Sequence, residues 1–96
     1  MKHVNIRVSG IVQGVSFRYY TQKKADALKI KGFVMNKPDG SVYIEAEAEE
    51  DILEQFIEWC QHGPSAARVD HIEISPDTLK NFSSFDIRYS SQGLWD

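Results

Sequence analysis

The chain is short of the residues that build covalent or metal staples. Its 96 residues include one cysteine, Cys60, so no intramolecular disulfide can form, and no cysteine or histidine pair stands at zinc-like spacing. His3, His62 and His71 are far apart, and neither a metal nor any other cofactor is expected. Long apolar runs are missing as well: the longest are a few residues, far short of a bilayer span. The start, Met1-Lys2-His3-Val4-Asn5, lacks the apolar stretch of a signal peptide. A cytoplasmic protein without membrane contact is the expectation. Positive charge is also scarce, with 11 Lys and Arg against 14 Asp and Glu and a net charge of −3. Broad nucleic-acid binding needs clustered cations and is not expected; an anionic ligand would have to be held by local design.

What is present suits one compact domain spanning residues 1–96. Apolar residues make up 42% and charged residues 26% of the chain, a globular mixture, and the length suffices for one core. Val4-Asn5-Ile6-Arg7-Val8 alternates with period two and predicts a strand. Gly10 to Ser16 forms a strand-to-helix loop, with glycines free to take positive φ and Ser16 placed to cap the helix. Phe17, Thr21, Ala25 and Leu28 fall at helical spacing, and Gly32 lies just past that helix. Two strands then flank Lys37-Pro38-Asp39-Gly40, a turn sequence. Glu49, Glu50 and Asp51 open a second helix, whose stripe of Ile52, Leu53, Phe56, Ile57, Trp59 and Cys60 ends at Gly63-Pro64. Its neighbours place Cys60 in the core, and His62 is a cation at the helix C-terminus.

Val69 to Ile74 alternates once more, and Phe85, Ile87 and Tyr89 share one face of a short last strand. Glu45 and Glu47 alternate outward on their strand and read, with Glu49 and Glu50, as a solvated acidic surface. The order of elements suits an α+β, ferredoxin-like split βαβ sandwich: an antiparallel sheet with two helices on one face. This frame carries enzymes, RNA-binding modules and regulatory domains, so function must come from a site. The RNA-binding alternative needs aromatics in mid-strand, which Val4-Asn5-Ile6-Arg7-Val8 does not supply.

Gln13-Gly14-Val15-Ser16-Phe17-Arg18 joins a strand to a helix N-terminus, where backbone N–H groups can collect phosphate oxygens. A guanidinium at Arg18 can add two parallel hydrogen bonds to one phosphoryl group. Taken alone, however, Gly14 is equally an ordinary turn residue, Arg18 a solvated helix-start arginine and Asn36 a hairpin residue.

Two blocks carry a family resemblance. Val8-Ser9-Gly10-Ile11-Val12-Gln13-Gly14-Val15-Ser16-Phe17-Arg18 resembles the first acylphosphatase signature, and Gly32-Phe33-Val34-Met35-Asn36-Lys37-Pro38-Asp39-Gly40-Ser41-Val42 resembles the second. The likeness continues through Gly63-Pro64 and Ala67 to Ile87-Arg88-Tyr89. One departure is Ala48, where the second signature usually closes with glycine; it lies at the start of a helix, away from any reacting group. The resemblance implies a metal-free hydrolase that splits acyl phosphates into a carboxylate and inorganic phosphate. It further implies a phosphoryl group held by Arg18 and by the amides of Gly14, Val15, Ser16, Phe17 and Arg18, with Asn36 orienting the attacking water. The expected ligands are then a small acyl phosphate and inorganic phosphate, as product and competitor, bound by a monomer. Tyr19 and Tyr20 flank the loop, one of them expected in the core and one near the acyl group. A non-catalytic ligand-binding module with the same loop is the rival reading, and turnover separates the two.

Overall fold

A computed structural model describes residues 1–89; the tail with Trp95 lies outside the described residues. Seven elements follow one another: β1 Lys2–Ile11, α1 Phe17–Ala27, β2 Lys31–Asn36, β3 Val42–Ala48, α2 Glu50–His62, β4 Arg68–Asp77 and β5 Phe85–Arg88. The strands form a single sheet in the order β4-β1-β3-β2-β5. Register decides which residues share a face. Val4, Ile6 and Val8 of β1 stand opposite Ala46, Ile44 and Val42 of β3, and Gly32 and Val34 of β2 oppose Ala46 and Ile44. These strand residues form one core with Phe17 and Ala25 of α1 and Leu53, Phe56 and Cys60 of α2. Both helices therefore cover the same face, as expected for the ferredoxin-like frame. Fully burying a side chain such as Phe56 or Ile6 contributes about 1.5–3 kcal/mol.

Four local features differ from the sequence reading, each for a physical reason. The last strand, β5, pairs in parallel with β2, so an otherwise antiparallel sheet is mixed. Gly32 does not end α1, which stops through Lys29 at φ 60°. Gly32 instead lies within β2, where φ is +149° and a Cβ would strike the Glu45 carbonyl oxygen; it lets β2 approach β3. Ser16 occupies the N-cap position in left-handed geometry, φ 63° and ψ 27°, and makes no side-chain capping bond. Finally, Tyr19 and Tyr20 are both about half exposed, at 50% and 47%, and their rings pack edge to face on each other; neither enters the core.

The acidic surface is also corrected. Glu45 and Glu47 point away from the helices, but both are buried, because the chain from β4 at one sheet edge must cross to β5 at the other. Along that crossing, the backbone N–H groups of Lys80 and Phe82 donate to the two oxygens of Glu47, and the Lys80 ammonium donates to Glu45 at 3.0 Å. His3 sits beneath, 2% exposed, with Nδ1 at 2.7 Å from Glu47 and Nε2 at 2.8 Å from the Asn5 amide oxygen. His62 closes α2 exposed, 3.1 Å from Glu58. Among the described residues, no helix is long and apolar enough to cross a membrane.

Candidate active site

The cleft opens where β1, α1 and the β2–β3 hairpin meet. After β1 the chain turns through Gly14 at φ +75° and Ser16 at φ +63° before α1 begins. Left-handed residues in such a loop bring successive N–H groups onto one concave side and form an anion nest. None of the backbone N–H groups of Gly14, Val15, Ser16, Phe17 and Arg18 has a protein acceptor among the described residues, and the first backbone bond into α1 runs from Tyr20 to the Ser16 carbonyl at 3.1 Å. The helix N-terminus adds its partial positive charge, and α1 has no acidic residue in its first turn to quench it.

The cleft holds about 420 Å³ and is lined by Val12, Gly14, Ser16, Phe17, Arg18, Tyr19, Asn36, Ile87 and Tyr89. It thus gathers most of the residues singled out by sequence. Arg18, half-buried, has no carboxylate partner among the described residues. The centre of its guanidinium stands 5.3 Å from the Tyr89 ring centroid, within the range of a cation–π contact. Asn36 is the last residue of β2 and pairs across the hairpin with Val42, so it stands on the helix-covered face of the sheet; its side chain makes no hydrogen bond among the described residues. An unpaired cation, open amides and a free carboxamide therefore face one space. Val15 stands in the loop with its side chain packed on the core, and Ala48 ends β3 buried, far along the strand from the hairpin.

The hairpin that carries Asn36 is tightly specified. Asp39 accepts from the Ser41 amide at 2.9 Å and the Ser41 hydroxyl at 2.6 Å, and Arg7 donates to its second oxygen at 2.9 Å. Hydrogen bonds from Ser41, with help from Arg7, hold the Asp39 carboxyl below its ordinary range. Two of the lining residues, Ile87 and Tyr89, are given no part in the site by the sequence, which places them on a strand face within the stretch of family likeness. Cys60 is remote from the cleft, fully buried, and burial pushes its thiol well up, which makes it inert.

An α+β sandwich whose strand-to-helix loop sets amides and an arginine beside a carboxamide, all without partners among the described residues, is the frame of a small phosphoryl-handling protein. Comparison with known proteins narrows that class. The family model described as Acylphosphatase matches residues 4–87. An acylphosphatase of Thermotoga petrophila is 46% identical over 89 residues, covering 93% of this chain and 99% of that protein, and one of Archaeoglobus fulgidus is 45% identical over 86 residues, covering 90% and 97%. The crystal structure of acylphosphatase from Bacillus subtilis superposes with a TM-score of 0.90 at 39% identity, covering 93% of this chain and all of that one. The chain belongs to the acylphosphatase family. It is a hydrolase that acts on the carboxyl–phosphate anhydride of acyl phosphates.

Proposed function

We propose that the amides of Gly14, Val15, Ser16, Phe17 and Arg18, together with the Arg18 guanidinium, bind the phosphoryl group, and that Asn36 aligns the attacking water. The observation that carries this reading is the meeting in one cleft of Arg18, loop amides and an Asn36 side chain that have no partner among the described residues. The water oxygen attacks phosphorus, the bond from phosphorus to the acyl oxygen breaks, and its electron pair leaves with the carboxylate. A carboxylate with a pKa of about 4 needs no proton as it departs. Among the described residues that line the cleft there is neither a carboxylate nor a histidine, which matches a reaction without a side-chain acid. The amide of Asn36 cannot take the water's proton, but its oxygen and NH2 group can fix the water in line; the proton passes late to the phosphoryl oxygens. Charge spreads over those oxygens in the loose transition state, so positioning and electrostatic stabilisation supply the catalysis.

Inorganic phosphate returns to the same donors and competes with substrate. The loop, Arg18 and Asn36 lie in one cleft of a single fold, and on this reading a monomer carries out the hydrolysis without a metal. The test is hydrolysis of a synthetic aryl-acyl phosphate with and without chelator, by the native protein and by Arg18→Ala. Chelator-insensitive turnover, lowered by about 10²–10³ or more in Arg18→Ala, is expected; saturable binding without turnover would favour the non-catalytic module.

A further inference from the structure

We infer that Gln13 is a positioning residue for this hydrolysis: its carboxamide clamps the hairpin bearing Asn36 to the loop that binds phosphate. The inference rests on the roles just proposed for Arg18 and Asn36. The Gln13 side-chain NH2 group donates one hydrogen to the Lys37 carbonyl at 2.8 Å and the other to the Ser41 carbonyl at 2.9 Å. These two carbonyls also close the hairpin turn. The Lys37 carbonyl accepts from the Gly40 amide at 3.1 Å, and the Ser41 carbonyl accepts from the Lys37 amide at 2.9 Å.

The position of this clamp gives it its effect. Gln13 immediately precedes Gly14, the first of the phosphate-binding amides. Lys37 immediately follows Asn36, and Ser41 immediately precedes Val42, the partner of Asn36 in the ladder. Strand β1, which leads into the loop, does not pair with β2, which ends at Asn36, because β3 lies between them. Apart from the sheet itself, the Gln13 carboxamide is thus a direct strap between the group that holds phosphorus and the group that aligns water. An in-line attack tolerates little error, and a displacement of about 1 Å can cost on the order of 10²-fold in rate. The turn keeps its own shape without Gln13, since Asp39 binds Ser41 twice and Arg7 once. Loss of the strap should therefore shift the hairpin relative to the loop and leave both formed.

The experiment is a double-mutant cycle of Gln13→Met with Asn36→Ala, reading kcat and the inhibition constant of inorganic phosphate. Methionine keeps the length and removes both donors. With Asn36 in place, Gln13→Met is expected to lower kcat by about tenfold to a hundredfold with phosphate inhibition nearly unchanged. In the Asn36→Ala background the same change should cost almost nothing, because the water is no longer aligned. Full multiplicative losses, or a parallel loss of phosphate binding, would show a general structural role and overturn the inference. A Gln13→Met protein with native kcat would overturn it as well. Native kcat in Asn36→Ala alone sinks the water-aligning role instead, so the two failures are separate. If Gln13→Met does not fold, Gln13→Asn, which keeps the donors one methylene short, is carried through the same cycle with the same outcomes.

Discussion

Glu47→Gln tests the polar clasp at the end of the sheet remote from the cleft. In the native protein one Glu47 oxygen meets His3 Nδ1 at 2.7 Å and the Lys80 amide, and the other meets the Phe82 amide at 3.1 Å. Both His3 ring nitrogens face acceptors, with Asn5 oriented by its own bond to Asp77. Glutamine can keep its oxygen toward His3 and Lys80, but its NH2 then opposes the Phe82 N–H. One buried donor left unmet costs about 1–3 kcal/mol, and the bonds from His3 and the Lys80 amide lose their anionic acceptor and weaken. A net loss of about 2–4 kcal/mol at pH 7 lowers Tm by roughly 8–30 °C for a domain of this size.

Acid adds a second reading of the same clasp. Burial raises the Glu47 pKa, but hydrogen bonds from Lys80, His3 and Phe82 outweigh it and hold the carboxyl below its ordinary value of 4.5. Its stabilisation is therefore complete above about pH 4.5 and fades as pH falls through the lowered value. Urea unfolding at pH 7 and at pH 3 should show the gap between native and Glu47→Gln narrowing in acid, while Asp39 and Asp77, also lowered, keep some acid dependence in both proteins. Turnover below the unfolding transition should not change. A gap under about 1 kcal/mol at pH 7, small for a buried charged acceptor, or one equally large at pH 3, would refute the reasoning.

The glycines separate strain from space. At Gly14, φ is +75° and no described residue beyond its chain neighbours lies within 4 Å of where a Cβ would stand, so Gly14→Ala should cost only about 1–2 kcal/mol in urea yet weaken phosphate inhibition, because an L side chain resists the left-handed turn that faces the amides inward. At Gly32 the same change adds a clash with the Glu45 carbonyl, and about 2–5 kcal/mol is expected from strain and overpacking together, with phosphate inhibition intact in the folded fraction. For Cys60, buried with its thiol pushed up, labelling by an aromatic disulfide should proceed only at the rate of unfolding; fast labelling of native protein would contradict its place in the core.

Alternation and helical spacing are enough to locate the strands and helices, because each element buries one face. They also place Arg18, Asn36 and the loop glycine in plausible settings, although no periodicity shows that the two side chains meet. What lies beyond the pattern depends on contacts between distant segments. Alternation assigns Glu45 and Glu47 to the outer face but does not show that residues 78–84 cross over that face and bury them. A short strand such as Phe85–Arg88 does not disclose its partner; only its parallel pairing with β2 carries Tyr89 to Arg18. Gln13 is visible in the loop, yet its donors acquire meaning only once the hairpin stands beside it.

The central claim is a division of labour between binding charge and aligning water. It is tested most directly by measuring kcat and the phosphate inhibition constant for Arg18→Ala and Asn36→Ala side by side, with circular dichroism to confirm folding. The account predicts that Arg18→Ala loses both phosphate affinity and turnover, whereas Asn36→Ala loses turnover and still binds phosphate. Native turnover in either variant, or equal loss of phosphate binding in both, would contradict it.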